Sequence, residues 1–249
     1  MTAVLADTDW VMILLLGLTL MAGAIVQSLV GFGIAVVAAP FVVVFAPDLM
    51  PGAILVTGAW LPTLELSRGH DEVDWPILSW ALAGRIVTTP LGVWLVAHAS
   101  ATTISALVGV MVLAAVAASV RTLAVRATPR NAVLAGLITG VSGTAASLGG
   151  PFFALVLQHE RAERIRATLA AFFIVGSLLG VGMLAVGGEF TLRQLIAGLA
   201  WLPFISLGFI AAGPLRDRLD RDQTRQRVLV FAAVAGITVL IRALVKLLG

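Results

Sequence analysis

The stretch from Trp10 to Phe45, WVMILLLGLTLMAGAIVQSLVGFGIAVVAAPFVVVF, runs for 36 residues without a charge. As one helix rising 1.5 Å per residue it would measure about 54 Å, far more than the ~30 Å hydrocarbon core of a bilayer. It has to break or turn back. The composition marks the place: Gln27 and Ser28 lead into Gly31-Phe32-Gly33, and Pro40 follows. Glycine lets a backbone leave helical geometry, and proline withholds an N–H donor. Such interruptions are tolerated at membrane depth where protein or a water-filled cavity receives the freed backbone groups.

Seven further apolar runs follow: Met50 to Leu66, Trp75 to Ala97, Thr102 to Ala124, Asn131 to Leu157, Ala167 to Val186, Thr191 to Ala211 and Val228 to Leu248. Asn131 to Leu157 is also overlong, and it too carries glycines, small polar residues and a proline, from Gly140 to Pro151. The other six have ordinary spanning length. Mean hydropathy is +1.06, with 60% hydrophobic and 12% charged residues, so nearly the whole chain is expected in lipid. The expected fold is one all-α, polytopic transmembrane domain of about eight segments, including two that are broken or re-entrant.

Charge orders these segments. Arg68 lies in 67–74, three arginines in 121–130, three in 158–166 and five in 215–227. Simple alternation of eight spans would split them between the two faces, against the tendency of arginine to stay cytoplasmic. If 131–157 enters and leaves by one face, all four stretches become cytoplasmic. That topology places 46–48, 98–101 and 187–189 outside, and it suits a bacterial inner membrane. Asp7 and Asp9, with no Lys or Arg before Trp10, argue against a cleavable signal peptide.

The two halves, 10–124 and 131–248, also resemble each other. Gly31-Phe32-Gly33 running to Pro40-Phe41 recurs as Ser142-Gly143-Thr144 running to Pro151-Phe152, and Pro90-Leu91-Gly92 recurs as Ser206-Leu207-Gly208. One broken segment and three crossings per half would make the repeats inverted, a plan shared by many secondary transporters.

The broken segments are the candidate substrate site. Interrupted helices expose N–H groups and partial positive charge that suit an anion, and neutral hydroxyl and amide donors add to this without burying a charge. The expected residues are Gln27, Gly31, Phe32, Gly33 and Pro40 from the first segment. Ser142, Gly143, Thr144, Ser147, Gly149, Gly150 and Pro151 come from the second. Arg85 lies ten residues into its run and is the one clearly deep charge. It is costly there and so is the candidate cation for the anion. A structural role beside Glu65 or backbone carbonyls is the competing reading. The series Gly176, Gly180 and Gly182 reads as helix packing.

Other chemistry is excluded or unsupported. The chain has no cysteine, and His70, His98 and His159 all fall in connections, so no metal site, catalytic residue or cofactor is expected. Gly140-Val141-Ser142-Gly143 looks like the serine loop of intramembrane proteases, but no intramembrane His exists to activate the hydroxyl. No Walker A sequence occurs, so ATP drive is not expected. Expected partners are a small anion, a coupling proton or other ion, lipid and a second copy of the chain, and no nucleic acid. A passive anion channel and a non-transporting scaffold subunit are the alternative classes.

Ala24 to Pro40, with Gln27, Gly31-Phe32-Gly33 and Pro40, resembles the first signature of the sulfite exporter TauE/SafE family of membrane permeases. Gly136 to Pro151, Arg166-Ala167-Thr168, Leu202-Pro203, Leu207-Gly208 and Arg218-Leu219 follow in the family's order, with Val73-Asp74-Trp75 and Pro90-Leu91-Gly92 between. The resemblance implies export of sulfite or a related organosulfur or carboxylate anion, driven by an ion gradient.

Overall fold

The computed structural model describes residues 9–31, 33–67, 72–120, 125–216 and 221–248. Phe32, Arg68, His70, Arg121 and the Arg218-Leu219 pair lie outside them. The described residues form ten α-helices and one short 3-10 turn, with no strand among them. The helices are α1 (Trp10–Val30), α2 (Ile34–Phe45), α3 (Gly52–Leu66), α4 (Trp75–His98), α5 (Ala101–Val120), α6 (Pro129–Ala145), α7 (Gly150–Val156), α8 (Ala162–Val186), α9 (Leu192–Arg216) and α10 (Arg221–Leu248).

Six of them, α1, α4, α5, α8, α9 and α10, are long and apolar enough to cross a membrane. Their outer faces carry large apolar side chains such as Leu14, Val87, Leu178 and Val234, as lipid contact requires. The run Met50 to Leu66, read above as an ordinary span, yields only the 15-residue α3. Pro51 stands just ahead of the helix, so the backbone of Asp48 to Pro51 runs as a turn before it.

Both overlong runs break where the glycines stand, and both reverse. α1 ends at Gly31, whose φ of +101° lies in the left-handed region and whose N–H bonds Gln27 O at 2.7 Å. A Cβ placed on Gly23 would meet Ile34 Cα at 2.9 Å, so the start of α2 lies back alongside α1 instead of beyond it. The amide of Gln27 holds the reversal, its Oε1 accepting from Ile34 N at 3.2 Å. In the second run α6 ends at Ala145 and α7 starts at Gly150. There Ser142 Oγ donates to Leu148 O at 2.8 Å, and Leu148 N donates to Ser142 O at 3.1 Å. One serine ties the turn from both sides.

Packing joins helices of opposite halves. The closest pairing is α4 with α6: Gly136 lies against Ala81 O, Gly84 against Val133 O, and Thr88 Oγ1 donates across to Leu137 O at 2.7 Å. α1 pairs with α9, where Gly208 faces Met21 O and the fully buried Trp201 donates from Nε1 to Ile13 O at 2.9 Å. α3 crosses α8, and α5 pairs with α10.

The buried apolar residues accordingly form two clusters. One unites α1, α2, α3, α5, α9 and α10, with Ala146 and Leu148 of the second break, around Leu20, Ile54, Trp201 and Ile205. The other unites α4, α6, α7 and α8 around Leu78, Phe153, Leu169 and Phe172. The bodies meet chiefly where α3 crosses α8.

Candidate functional site

Charge is scarce in the interior, which makes Arg85 the natural starting point. It sits on α4 with 2% of its surface exposed. Its Nη2 donates to Gly176 O of α8 at 2.8 Å, and its Cζ lies 4.9 Å from the centre of the Phe172 ring. Stacking on an aromatic face recovers part of the hydration lost on burial, of the order of 2 kcal/mol for a desolvated cation. The guanidinium Nε has no hydrogen-bond partner among the described residues, and no described carboxylate pairs with the side chain. A guanidinium carries five N–H donors, and leaving a buried one unbonded is expensive.

Three glycines make the space it occupies. A Cβ on Gly143 would stand 3.1 Å from Nη2, one on Gly149 3.3 Å from Nη1, and one on Gly176 would overlap Cζ. Gly143 and Gly149 flank the second break, so that break wraps the guanidinium. Gly176 belongs to the series read above as packing, and its role is different: it leaves room for the cation. Gly180, in the same series, does pack, against Leu55, while Gly182 faces open space.

Beside Arg85 is a cavity with about 40 Å³ open to the centre of a water-sized sphere. At roughly 10–15 Å³ per water this holds about three waters or one small oxyanion. Gln27, Ile34 and Ala35 line it from the first break, Gly143, Ser147 and Gly149 from the second, Ile54 and Gly58 from α3, and Phe173 and Ser177 from α8. The cavity therefore lies between the two packed bodies, with its cation on one wall and the start of α2 on the other.

Of the residues expected from sequence, Gln27, Arg85, Gly143, Ser147 and Gly149 converge on this cavity. Gly31, Gly33, Ser142 and Pro40 do not line it. The first three shape the reversals, and Pro40 is buried within α2. A Cβ on Gly33 would meet Val26 Cγ1 at 2.7 Å, which explains the residue type there. Thr144 is buried with its hydroxyl unbonded, near Gly92 and Gly180, and Gly150 and Pro151 begin α7. Phe32 lies outside the described residues. Missed from sequence were Ser177, Phe172 and Gly176. The spacing of Gly176, Ser177 and Gly180 on one face of α8 was the available signal.

The described residues contain no group of His, Cys, Asp or Glu able to hold a metal ion. The sum is a multi-pass helical membrane protein with a small internal cavity walled on one side by a cation. The chain belongs to the sulfite exporter TauE/SafE family, a family of membrane transporters, whose model matches residues 15–239. No curated protein and no solved structure matches the chain.

The glycine beside the cation gives a sharp test. Gly176→Ala puts a methyl group where the guanidinium lies, and the flexible Arg85 side chain moves aside. Anion transport should fall at least tenfold with little change in thermal stability of the detergent-solubilised protein. Wild-type transport by this variant would show that the position of the guanidinium is immaterial.

Proposed function

We propose that the protein is a secondary transporter that moves a small oxyanion, sulfite or a related organosulfur or carboxylate anion, across a bacterial inner membrane by alternating access. The observation that carries this reading is the buried Arg85, with N–H donors unspent, beside a small cavity where both chain reversals meet. A fixed cation with no carboxylate partner among the described residues suits a monovalent or divalent anion and repels a cation. Neutral polar side chains of Gln27, Ser147 and Ser177 complete the lining without adding a charge that would have to be carried empty.

The position of the cavity supports alternating access. Two bodies with separate apolar cores can shift against each other while each stays packed, and a site at their seam is then exposed first to one side and then to the other. The inverted-repeat reading is supported by the pairings. α4 on α6 and α1 on α9 are the same contact with the halves exchanged, and α3 on α8 and α5 on α10 each pair an element with its own counterpart. In this reading each reversing segment is re-entrant, the arginine-rich connections are cytoplasmic, and an ion gradient drives the net flux.

The test is uptake of labelled sulfite, and of small sulfonates and carboxylates, into proteoliposomes with and without an imposed proton gradient. Saturable uptake of at least one of these anions that responds to the gradient is the expected result. Uptake linear in concentration would indicate a channel, and none at all with inserted, folded protein would remove the transport reading.

A further inference from the structure

A second cavity lies close to the first. It has about 230 Å³ open to the centre of a water-sized sphere, and it is walled by the exposed Pro47, Gly188 and Thr191, the partly exposed Ala99 and the buried Ile104. Its floor is the buried trio Met50, Pro51 and Gln194. One turn further along α3, Ile54 and Leu55 line the Arg85 cavity. The segment from Met50 to Leu55 thus borders both spaces.

Two side chains hold the Asp48–Pro51 turn in place. Gln194, 4% exposed at the start of α9, donates from Nε2 to Asp48 O at 3.0 Å and to Met50 O at 3.2 Å, while its Oε1 accepts from Thr191 N at 3.2 Å. Gly52 leaves room for that amide, since a Cβ there would overlap Gln194 Oε1. From the second break, whose Ala146 and Leu148 pack in the same apolar cluster as Leu49 and Met50, Ser147 Oγ donates to Pro51 O at 3.1 Å. Ser147 also lines the Arg85 cavity and, at φ +59°, is the described non-glycine residue in the left-handed region. Such strain persists only where the surroundings enforce it.

Resting on the anion-transport reading above, we infer that the larger cavity is the vestibule through which the anion reaches or leaves the Arg85 site, and that the Asp48–Pro51 turn is the gate between them. Ser147 and Gln194 are its positioning residues. The structure is closed at this gate. Opening requires the Ser147 bond to Pro51 to break, after which Ser147 is free to leave its strained conformation. Gln194 holds the turn in the closed position as well, and its bonds to Asp48 O and Met50 O are lost when the turn moves.

The chain has no cysteine, so single reporters can be introduced cleanly. Ser177→Cys reports on the Arg85 cavity and Ala99→Cys on the vestibule. Each is reacted in sealed vesicles with a membrane-impermeant, negatively charged thiol reagent added to either side, alone and with Ser147→Ala or Gln194→Ala. Removing one gate bond should make the Ser177→Cys reporter react about tenfold faster, equal to about 1.4 kcal/mol in the open–closed equilibrium. The acceleration should appear only from the side on which Ala99→Cys reacts, and Ala99→Cys itself should not change.

Unchanged reactivity of Ser177→Cys in the Ser147→Ala background, with Ala99→Cys still reactive, would overturn the gate. Equal acceleration from both sides would overturn it too, by showing general loosening. If Gln194→Ala fails to fold, Ser147→Ala alone decides. Reactivity is read without substrate, so the two proposals fail separately. Faster labelling with no anion flux by the wild type removes transport and keeps the gate, whereas flux with unchanged labelling does the reverse.

Discussion

Replacing Arg85 by glutamine is expected to lower saturable anion uptake at least a hundredfold while the protein remains folded. Each hydrogen bond from a charged donor contributes about 1.5–3 kcal/mol. An anion held by two guanidinium N–H groups therefore loses about 3 kcal/mol or more, a factor of a hundred. Stability should move far less, because the guanidinium is a buried cation with no described carboxylate partner, and a shorter, neutral amide relieves its desolvation. Arg85→Lys should fall between the two. It keeps the charge but has neither the planar fork nor the stacking on Phe172. Initial uptake rates in proteoliposomes, normalised to folded protein and set beside melting temperatures in detergent, separate the possibilities. Normal uptake with a lowered melting temperature would make Arg85 a brace between α4 and α8 through Gly176, and the anion would bind elsewhere.

Arg85 was legible from sequence because a charge inside an apolar run is too expensive to be incidental, and the first reversal because 36 uncharged residues cannot fit one crossing. What the sequence could not place was the third wall of the cavity. Gly176 and Ser177 sit in a long apolar helix where small residues ordinarily mean close packing, and only the contact with Arg85 distinguishes them. Gln194 was hidden for another reason. It follows Arg193 at the edge of a run, where polar residues ordinarily face water, yet the Asp48–Pro51 turn folds over it. Met50 to Leu66 misled by its length, since hydropathy does not register that a turn with Pro47 and Pro51 precedes the helix. The partition into two bodies depends on pairings between halves far apart in sequence, which local periodicity does not encode.

Those pairings make the other large prediction, at Gly136, where a single methyl group should be enough to undo the fold. In an exposed helix Gly→Ala stabilises by about 1 kcal/mol, since alanine restricts the unfolded chain and suits the helix. Gly182→Ala is expected to show that sign, because nothing lies within 4 Å of a Cβ there. At Gly136 the same methyl overlaps Ala81 O and reaches 3.0 Å from Arg85 N. Its neighbours are backbone atoms of another helix, which cannot rotate away as a side chain can. The relief open to the structure is separation of α4 from α6, which loosens Gly84 on Val133 and Thr88 on Leu137 together and withdraws Arg85 from the second reversal. Overpacking of close-packed interiors costs about 1–3 kcal/mol even where side chains can adjust, so about 3 kcal/mol or more is expected here, against a total of about 5–15 kcal/mol for a folded domain. Gly136→Ala should therefore melt about 10 °C lower than wild type in detergent or fail to yield folded protein, while Gly182→Ala melts at or above the wild-type temperature. Equal melting temperatures for the two variants would mean that α4 and α6 do not meet at the distance described, and the seating of Arg85 between the second reversal and α8 would go with them.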